Sequence, residues 1–419
     1  MAAQAEPLQD LRPLSQQELD AVCAKHDRLW SSRPGGARAV FAWKDLSGLD
    51  LRGKNLCDAD FTGALMVDCQ MQGIRLDHAN LFGVDLQGAN LTDASLRRAD
   101  LRAACLRGAN LTGADMFEAD LREGAIAAAD RDKGLRILQH LNRAGEASGA
   151  ILAGANLERS RLSGVMALKA DFSDAILKDA KLVRANLKQA NMSGANMAGA
   201  DLSGADLAGA DLRDVILVGA KTFAWNVTQA DMTGVLTDKP AGTAVADLPY
   251  KEMIREHARW CETGGVEGKP SVFDNADLRA LETIRGFNLT ALSAKGAVFY
   301  GLDMEGVQLQ GAMLAGCDLR ACNLRRADLR GARMAGAKLA GADLRDAQMG
   351  PLLIGADRLL PADLTGANLK GADCARADMR QAILVEADLS RANFVNATLR
   401  QANLTHAIKA GARGLRDAI

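Results

Sequence analysis

The chain has 419 residues, with 51 Lys plus Arg against 52 Asp plus Glu and a formal net charge of −1. Charge this evenly balanced excludes both a generally basic nucleic-acid binder and an imitation of a polyanion along the whole length. Only 4% of the residues are aromatic, meagre for conventional globular cores, and no apolar run approaches the roughly 20 residues that cross a bilayer.

The first residues, Met1-Ala-Ala-Gln-Ala-Glu, lack the basic and apolar stretches of a secretory leader, so a cytoplasmic location is expected. Ser15-Gln-Gln-Glu18 is a capping box and predicts a helix ending near Trp30, within an N-terminal helical cap over 1–40. From Phe41 to Ile126 a Leu, Met, Phe or Ile centre recurs every five residues, 18 centres in one phase, giving a first block over 41–127. Leu135, Leu138 and Leu141 then stand at helical spacing, with His140 among them and Gly145 as a stop, so 128–150 reads as a helical insert. A second block over 151–235 holds 17 centres, from Leu152 to Met232. Lys239-Pro-Ala-Gly242 marks a linker, and 236–275 reads as that linker plus a helix. This segment repeats an earlier order: His257 and Trp260 precede Phe273 and Leu278, as His26 and Trp30 precede Phe41 and Leu46. The third block, 276–410, holds 22 centres from Phe299 to Leu404, and 411–419 is a tail without a clear apolar face.

The cleanest stretch runs from Ala195 to Leu212 and follows A-(D/N)-L-x-G, with Leu202, Leu207 and Leu212 as centres and Ala200, Ala205 and Ala210 beside them. A period of five fits neither the helix at 3.6 nor the strand at 2. A chain that turns one corner per repeat keeps both the Leu and the Ala two residues before it pointing to one axis, which is a solenoid. Arginine at Ala205 should therefore be far worse than arginine at Ser203.

On this motif the chain resembles the pentapeptide repeat proteins over about two thirds of its length. The resemblance implies an all-β solenoid with minor α: a right-handed quadrilateral β-helix, four repeats per coil, in two or three blocks with short helical caps and inserts. The 57 centres would make about 14 coils, a rod of roughly 68 Å if continuous at ~4.8 Å per coil. An uncovered end would present unpaired backbone and an apolar bore, so the helices are expected to act as caps.

Residues that could carry chemistry are sparse. His26 with Trp30, and His257 with Trp260, sit at the expected helix–tube junctions; they could be ligands or acid–base groups, but the plainer reading is that each ring fixes its helix on the tube. There is no nucleophile elbow, phosphate-binding loop or metal-ligand spacing, so no catalytic residue, metal or cofactor is expected. Cys69, Cys317 and Cys322 occupy the Ala position and Cys374 a centre, as small buried hydrophobes in a reducing compartment. Asp201, Asp206 and Asp211 exchange along the repeat with Asn191 and Asn196, which favours hydrogen bonds to corner backbone over a cation ladder.

Two arginine clusters, Arg97, Arg98, Arg102 and Arg107, and Arg320, Arg325, Arg326 and Arg330, lie just outside the centres. Spacing of five wraps them around the tube, and Asp100, Asp318 and Asp328 partly neutralise them. The expected function is a non-enzymatic scaffold offering rigid walls to a protein partner. The resemblance implies an alternative, a gyrase or topoisomerase modulator like the quinolone-resistance members that imitate DNA. A faithful imitation of this length would need about 40 excess negative charges. Nucleic-acid binding through the arginines is a second, disfavoured alternative, and pairing of two copies through the C-terminal coil is left open.

Overall fold

The computed structural model describes residues 13–130, 134–143, 145–281, 283–355 and 358–418. It divides into two compact units, Met1–Asp238 and Lys239–Ile419. In both, parallel bridges join residues twenty apart, such as Asp201 to Lys221 and Asn368 to Asp388. One circuit therefore takes twenty residues, and four five-residue sides make a coil.

Each side is built the same way. Leu202, Leu207 and Leu212 and Ala200, Ala205 and Ala210 all point into the bore and are buried. The Asp or Asn between them forms the bridge to the next coil, and the corner is a tight turn in which Ala205 N–H donates to the Leu202 carbonyl at 2.9 Å. The third turn residue, here Gly204 at φ +67°, lies in the left-handed region that a type II turn requires. Asp201 Oδ1 accepts the Ser203 N–H at 3.1 Å, and Asn191 Oδ1 accepts the Ser193 N–H at the same distance. The two residue types exchange because the corner needs one side-chain acceptor, which both possess.

The first two sequence blocks form one tube. Bridges from Cys105 to Glu146 and from Asp120 to Arg161 span 41 residues where the repeat takes 20, and the buried core continues from Leu19 to Leu217. The residues between are a correction to the expected helical insert. Strands β1 (Gly124–Asp130) and β2 (Gly134–Arg143) pair antiparallel, with Gly124 opposite Arg143. Leu135, Leu138, Leu141 and His140 lie on β2, and Ile126 lies on β1; residues 131–133 and 144 fall outside the described residues. An insertion within a coil must return the chain beside the point it left. Two antiparallel strands do so directly, and three leucines three apart are too short a pattern to outweigh that constraint.

In the second unit the linker forms strand β3 (Thr243–Ala244), parallel to β4 (Ala276–Asp277) of the first coil. A second interruption was hidden in the third block. Arg333 bridges Asp363, thirty residues on, so ten residues leave the coil. They carry strands β5 (Leu352–Leu353) and β6 (Leu359–Leu360), an antiparallel pair. Ile354 and Leu359, in phase as centres, are exposed on this hairpin. Ten is a multiple of five, so the phase survives the insertion.

Helices close both N-terminal ends. Helix α1 (Gln16–Trp30) has the reciprocal Ser15–Glu18 capping box and buries Leu19, Cys23 and His26 along one face. It also satisfies the open edge of the first coil: Leu14 N–H donates to the Asp45 carbonyl at 2.7 Å, and the Gln16 amide both donates to and accepts from the Asp50 backbone at 2.9 Å. Helix α2 (Tyr250–Glu262) plays the same part in the second unit, with Met253 and Ile254 packed on its core. The C-terminal tail is corrected as well. Its residues form helix α3 (Leu415–Ala418), which buries Leu415 and Ala418 and accepts the Leu399 N–H at the Ala418 carbonyl, 2.6 Å away.

Candidate functional site

The two capping histidines have the same geometry in separate units. His26 Nδ1 accepts the Ala39 N–H at 3.0 Å, and His257 Nδ1 accepts the Ser271 N–H at 2.8 Å. Both rings are fully buried, 6.4 Å from Trp30 and 5.8 Å from Trp260 between centroids. A neutral ring that accepts at Nδ1 carries its proton on Nε2. Both Nε2 atoms are buried without a well-formed hydrogen bond, with the Cys57 and Thr290 carbonyls as neighbouring acceptors. Each imidazole thus ties a cap to the backbone edge of its first coil and offers no open face to a substrate.

Burial lowers both histidine pKa values below 6.5, against the smaller opposing pull of those carbonyls and, at His26, of Asp27 and Asp58; Arg38 adds to the lowering. The folded state therefore favours the neutral rings, so stability is complete above about pH 6.5 and falls as the pH drops from there toward the lowered folded-state values. The urea midpoint of the wild type is expected to fall between pH 7.5 and 5. A His26→Phe, His257→Phe variant should start lower, because two buried N–H groups lose their acceptor, and should change less over the same window. Parallel pH curves for the two proteins would contradict this role.

The arginine clusters are largely paired. Arg102 is clamped by Asp100 at 2.8 and 2.7 Å, Arg330 by Asp328 at 2.9 and 2.7 Å, and Arg320 by Asp318 at 2.8 and 2.5 Å. The same Asp-x-Arg fork recurs at Asp50–Arg52, Asp120–Arg122, Asp211–Arg213, Asp343–Arg345 and Asp378–Arg380. Hydrogen bonding to the arginine is the main cause that takes the Asp50 carboxyl down to about 2. Arg97 pairs with Asp115 at 2.6 Å and stacks on Phe117, Arg98 pairs with Glu118 at 2.7 Å, and Arg107 and Arg326 reach Glu146 and Glu305 at 3.6 and 3.8 Å. Arg325 is half-buried, with Nε lacking an acceptor. Arg320 departs from the outward position expected of it: its side chain is 4% exposed. A residue just after a centre is outside the bore, but its own Asp draws it flat onto the wall.

The surface feature that sequence reading missed is the β5–β6 hairpin. Leu352 and Leu360 face inward onto a corner: a Cβ at Gly331 would lie 2.9 Å from Leu352 Cβ and 3.1 Å from Leu360 Cδ2. On the outer side Leu353, Ile354 and Leu359 are 62, 43 and 50% exposed. The available signal was the charge at Asp357, which stands where every other repeat from Phe299 to Leu404 has Ala or another apolar residue.

Cysteine thiols are all free, and burial pushes Cys69 to about 11 and Cys317 to about 12. Cys69 Sγ donates to the Leu46 carbonyl at 3.0 Å, a packing role in the bore. Among the described residues no three His, Cys, Asp or Glu side chains are grouped to hold a metal, and no helix is long and apolar enough to cross a membrane.

No curated protein matches the chain in sequence. Among solved structures, HetL, a pentapeptide repeat protein involved in heterocyst differentiation regulation in the cyanobacterium Nostoc, is 21% identical over 92% of this chain and 93% of its own, with a TM-score of 0.16. Rfr23 from the cyanobacterium Cyanothece is 27% identical over 31% of this chain and 88% of its own, with a TM-score of 0.21. QnrB1, a plasmid-mediated fluoroquinolone resistance protein, is 18% identical over 46% and 94%, with a TM-score of 0.23. The family model for pentapeptide repeats matches in eight copies, over 45–77, 79–116, 147–179, 180–219, 312–349, 362–401 and 382–408. With more than half of the sequence so matched and twenty-residue coils lined by Leu and Ala, the chain belongs to the pentapeptide repeat family.

Proposed function

We propose that this chain is a non-enzymatic scaffold of the cytoplasm, wound right-handed as its family resemblance implies, which docks a protein partner through the β5–β6 hairpin of the second unit. One observation carries the reading. Ten residues that the coil does not need project from its wall and present three large aliphatic side chains to solvent. Loops are ordinarily polar, and contiguous exposed aliphatic surface marks a contact site. The inner leucines packed on the Gly331 corner hold that surface in place, which lowers the entropy lost on docking.

The variant Leu353→Ser, Ile354→Ser, Leu359→Ser is expected to keep the wild-type melting temperature within about 2 °C, since exposed positions contribute little to folding. It should lose at least tenfold in affinity for the physiological partner, identified by crosslinking the wild type in its native cell. Equal recovery of every crosslinked protein by wild type and variant would refute the reading. Supercoiling by gyrase, with and without stoichiometric chain, separates it from topoisomerase modulation: protection or inhibition would move the assignment there.

A further inference from the structure

The first unit carries a concavity of about 630 Å³ on its outer wall, spanning four successive coils at 98–102, 118–122, 159–161 and 179–181. Six cations line it, Arg98, Arg102, Arg122, Arg159, Arg161 and Lys181, against the four carboxylates of Asp100, Glu118, Asp120 and Asp179. Three of the cations are held close: Arg98 by Glu118, Arg102 by Asp100 and Arg122 by Asp120, each at 2.7 Å. The other three are not. Arg159 reaches Glu118 and Glu158 only at 3.8 and 3.9 Å, and Arg161 reaches Asp120, already clamped by Arg122, at 3.7 Å. Lys181 has a longer-range attraction to Asp201, its bridge partner on the next coil.

A local rule of the repeat is broken at this spot. Arg161 and Lys181 are bridge partners on consecutive coils, so like charges face each other across a ladder, an arrangement that is destabilising by itself. Both occupy the position where Asp or Asn accepts the corner N–H, as Arg75, Lys221, Arg333 and Lys338 also do, but only here do two cations bridge each other among the described residues. Sequences give up local consistency chiefly where a function requires it. The Phe117 ring restrains the third cation, with the Arg159 guanidinium 5.9 Å from its centroid.

We propose that this concavity binds a compact oligophosphate, two or three linked phosphoryl groups, through Arg159, Arg161 and Lys181. The planar fork of each arginine suits phosphoryl oxygens, and Lys181 supplies a point charge one coil away, about 4.8 Å along the tube. Next to the concavity Arg97 is engaged by Asp115, and farther along the tube Arg213 is engaged by Asp211, so the loosely held cations do not run on as a continuous track through them. A long nucleic acid, which needs a continuing basic track, therefore fits less well than a short anion. This site is independent of the hairpin in the second unit.

The test is calorimetric titration of the full chain at low ionic strength with sodium tripolyphosphate, with ATP and with duplex DNA. Tripolyphosphate is expected to bind saturably with one equivalent per chain. Arg159→Gln, Arg161→Gln, Lys181→Gln together should weaken it at least tenfold, while Lys44→Gln, Lys169→Gln, Lys188→Gln, an equal charge change outside the concavity, should leave it within twofold. If the first triple variant fails to fold, the exposed single variant Lys181→Gln should still weaken binding at least threefold. ATP binding tighter than tripolyphosphate assigns the site to nucleotides, and equal affinity assigns it to the bare oligophosphate; both uphold the proposal. Absence of saturable binding, undiminished binding by the variant that folds, or tighter binding of duplex DNA would overturn it.

Discussion

Arginine in place of Ala205 is expected to abolish the cooperative fold of the coils around it. Ala205 is buried between the rungs of Leu202 and Leu207, and its N–H closes the corner on the Leu202 carbonyl. The bore has no polar group there to receive a guanidinium, and the two ladders leave no room for its stem at native packing density. The cost exceeds about 4 kcal/mol, the range reserved for buried unpaired charge and severe overpacking. Arginine at Ser203, half-buried at the corner outside the bore, can follow the wall as Arg213 does two repeats on, and should change stability by less than about 1 kcal/mol. Urea midpoints of the two variants decide the matter, and equal midpoints would contradict the inward placement of the small residue.

The inward placement of Ala205 is legible in the amino-acid pattern alone, because the period of five and the alternation of Ala with Leu leave one way to bury both. The capping box at Ser15 is equally legible, since it is a local bond between residues three apart. What the sequence conceals is the pair of insertions, for opposite reasons. The first breaks the phase and so announces itself, but its leucine spacing suggests a helix where chain closure demands a hairpin. The second preserves the phase, and Ile354 and Leu359 pass as rungs although the aspartate at 357 stands where every other repeat from Phe299 to Leu404 has an apolar residue. The arginines are visible as clusters, but their pairing depends on coil stacking. Arg97 reaches Asp115 and Arg98 reaches Glu118 on the next coil, residues eighteen and twenty positions away. Arg159, Arg161 and Lys181 do not stand out in the sequence, because the concavity they share is formed across an insertion that separates them from Arg98 and Arg102.

Replacing Leu19 with aspartate should have the second large effect, by undocking α1. Leu19 is fully buried and, with Cys23 and His26, is the contact through which the helix covers the bore of the first unit. The change loses the transfer energy of a buried leucine and sets a carboxylate in the apolar core that the helix shares with the tube, together about 3–5 kcal/mol. A solenoid distributes such a loss unevenly, since each coil is supported by its neighbours and the terminal coil has one neighbour fewer. The first coil should therefore fray before the rest of the tube melts, and amide hydrogen exchange over residues 41–60 should quicken at urea concentrations where the far-ultraviolet signal is still native. An uncapped β edge is also a template for another chain, so the variant should sediment as concentration-dependent assemblies larger than those of the wild type. Unchanged exchange over residues 41–60 together with unchanged sedimentation would show that α1 is a bystander, and that the end of the tube is protected by something other than its helix.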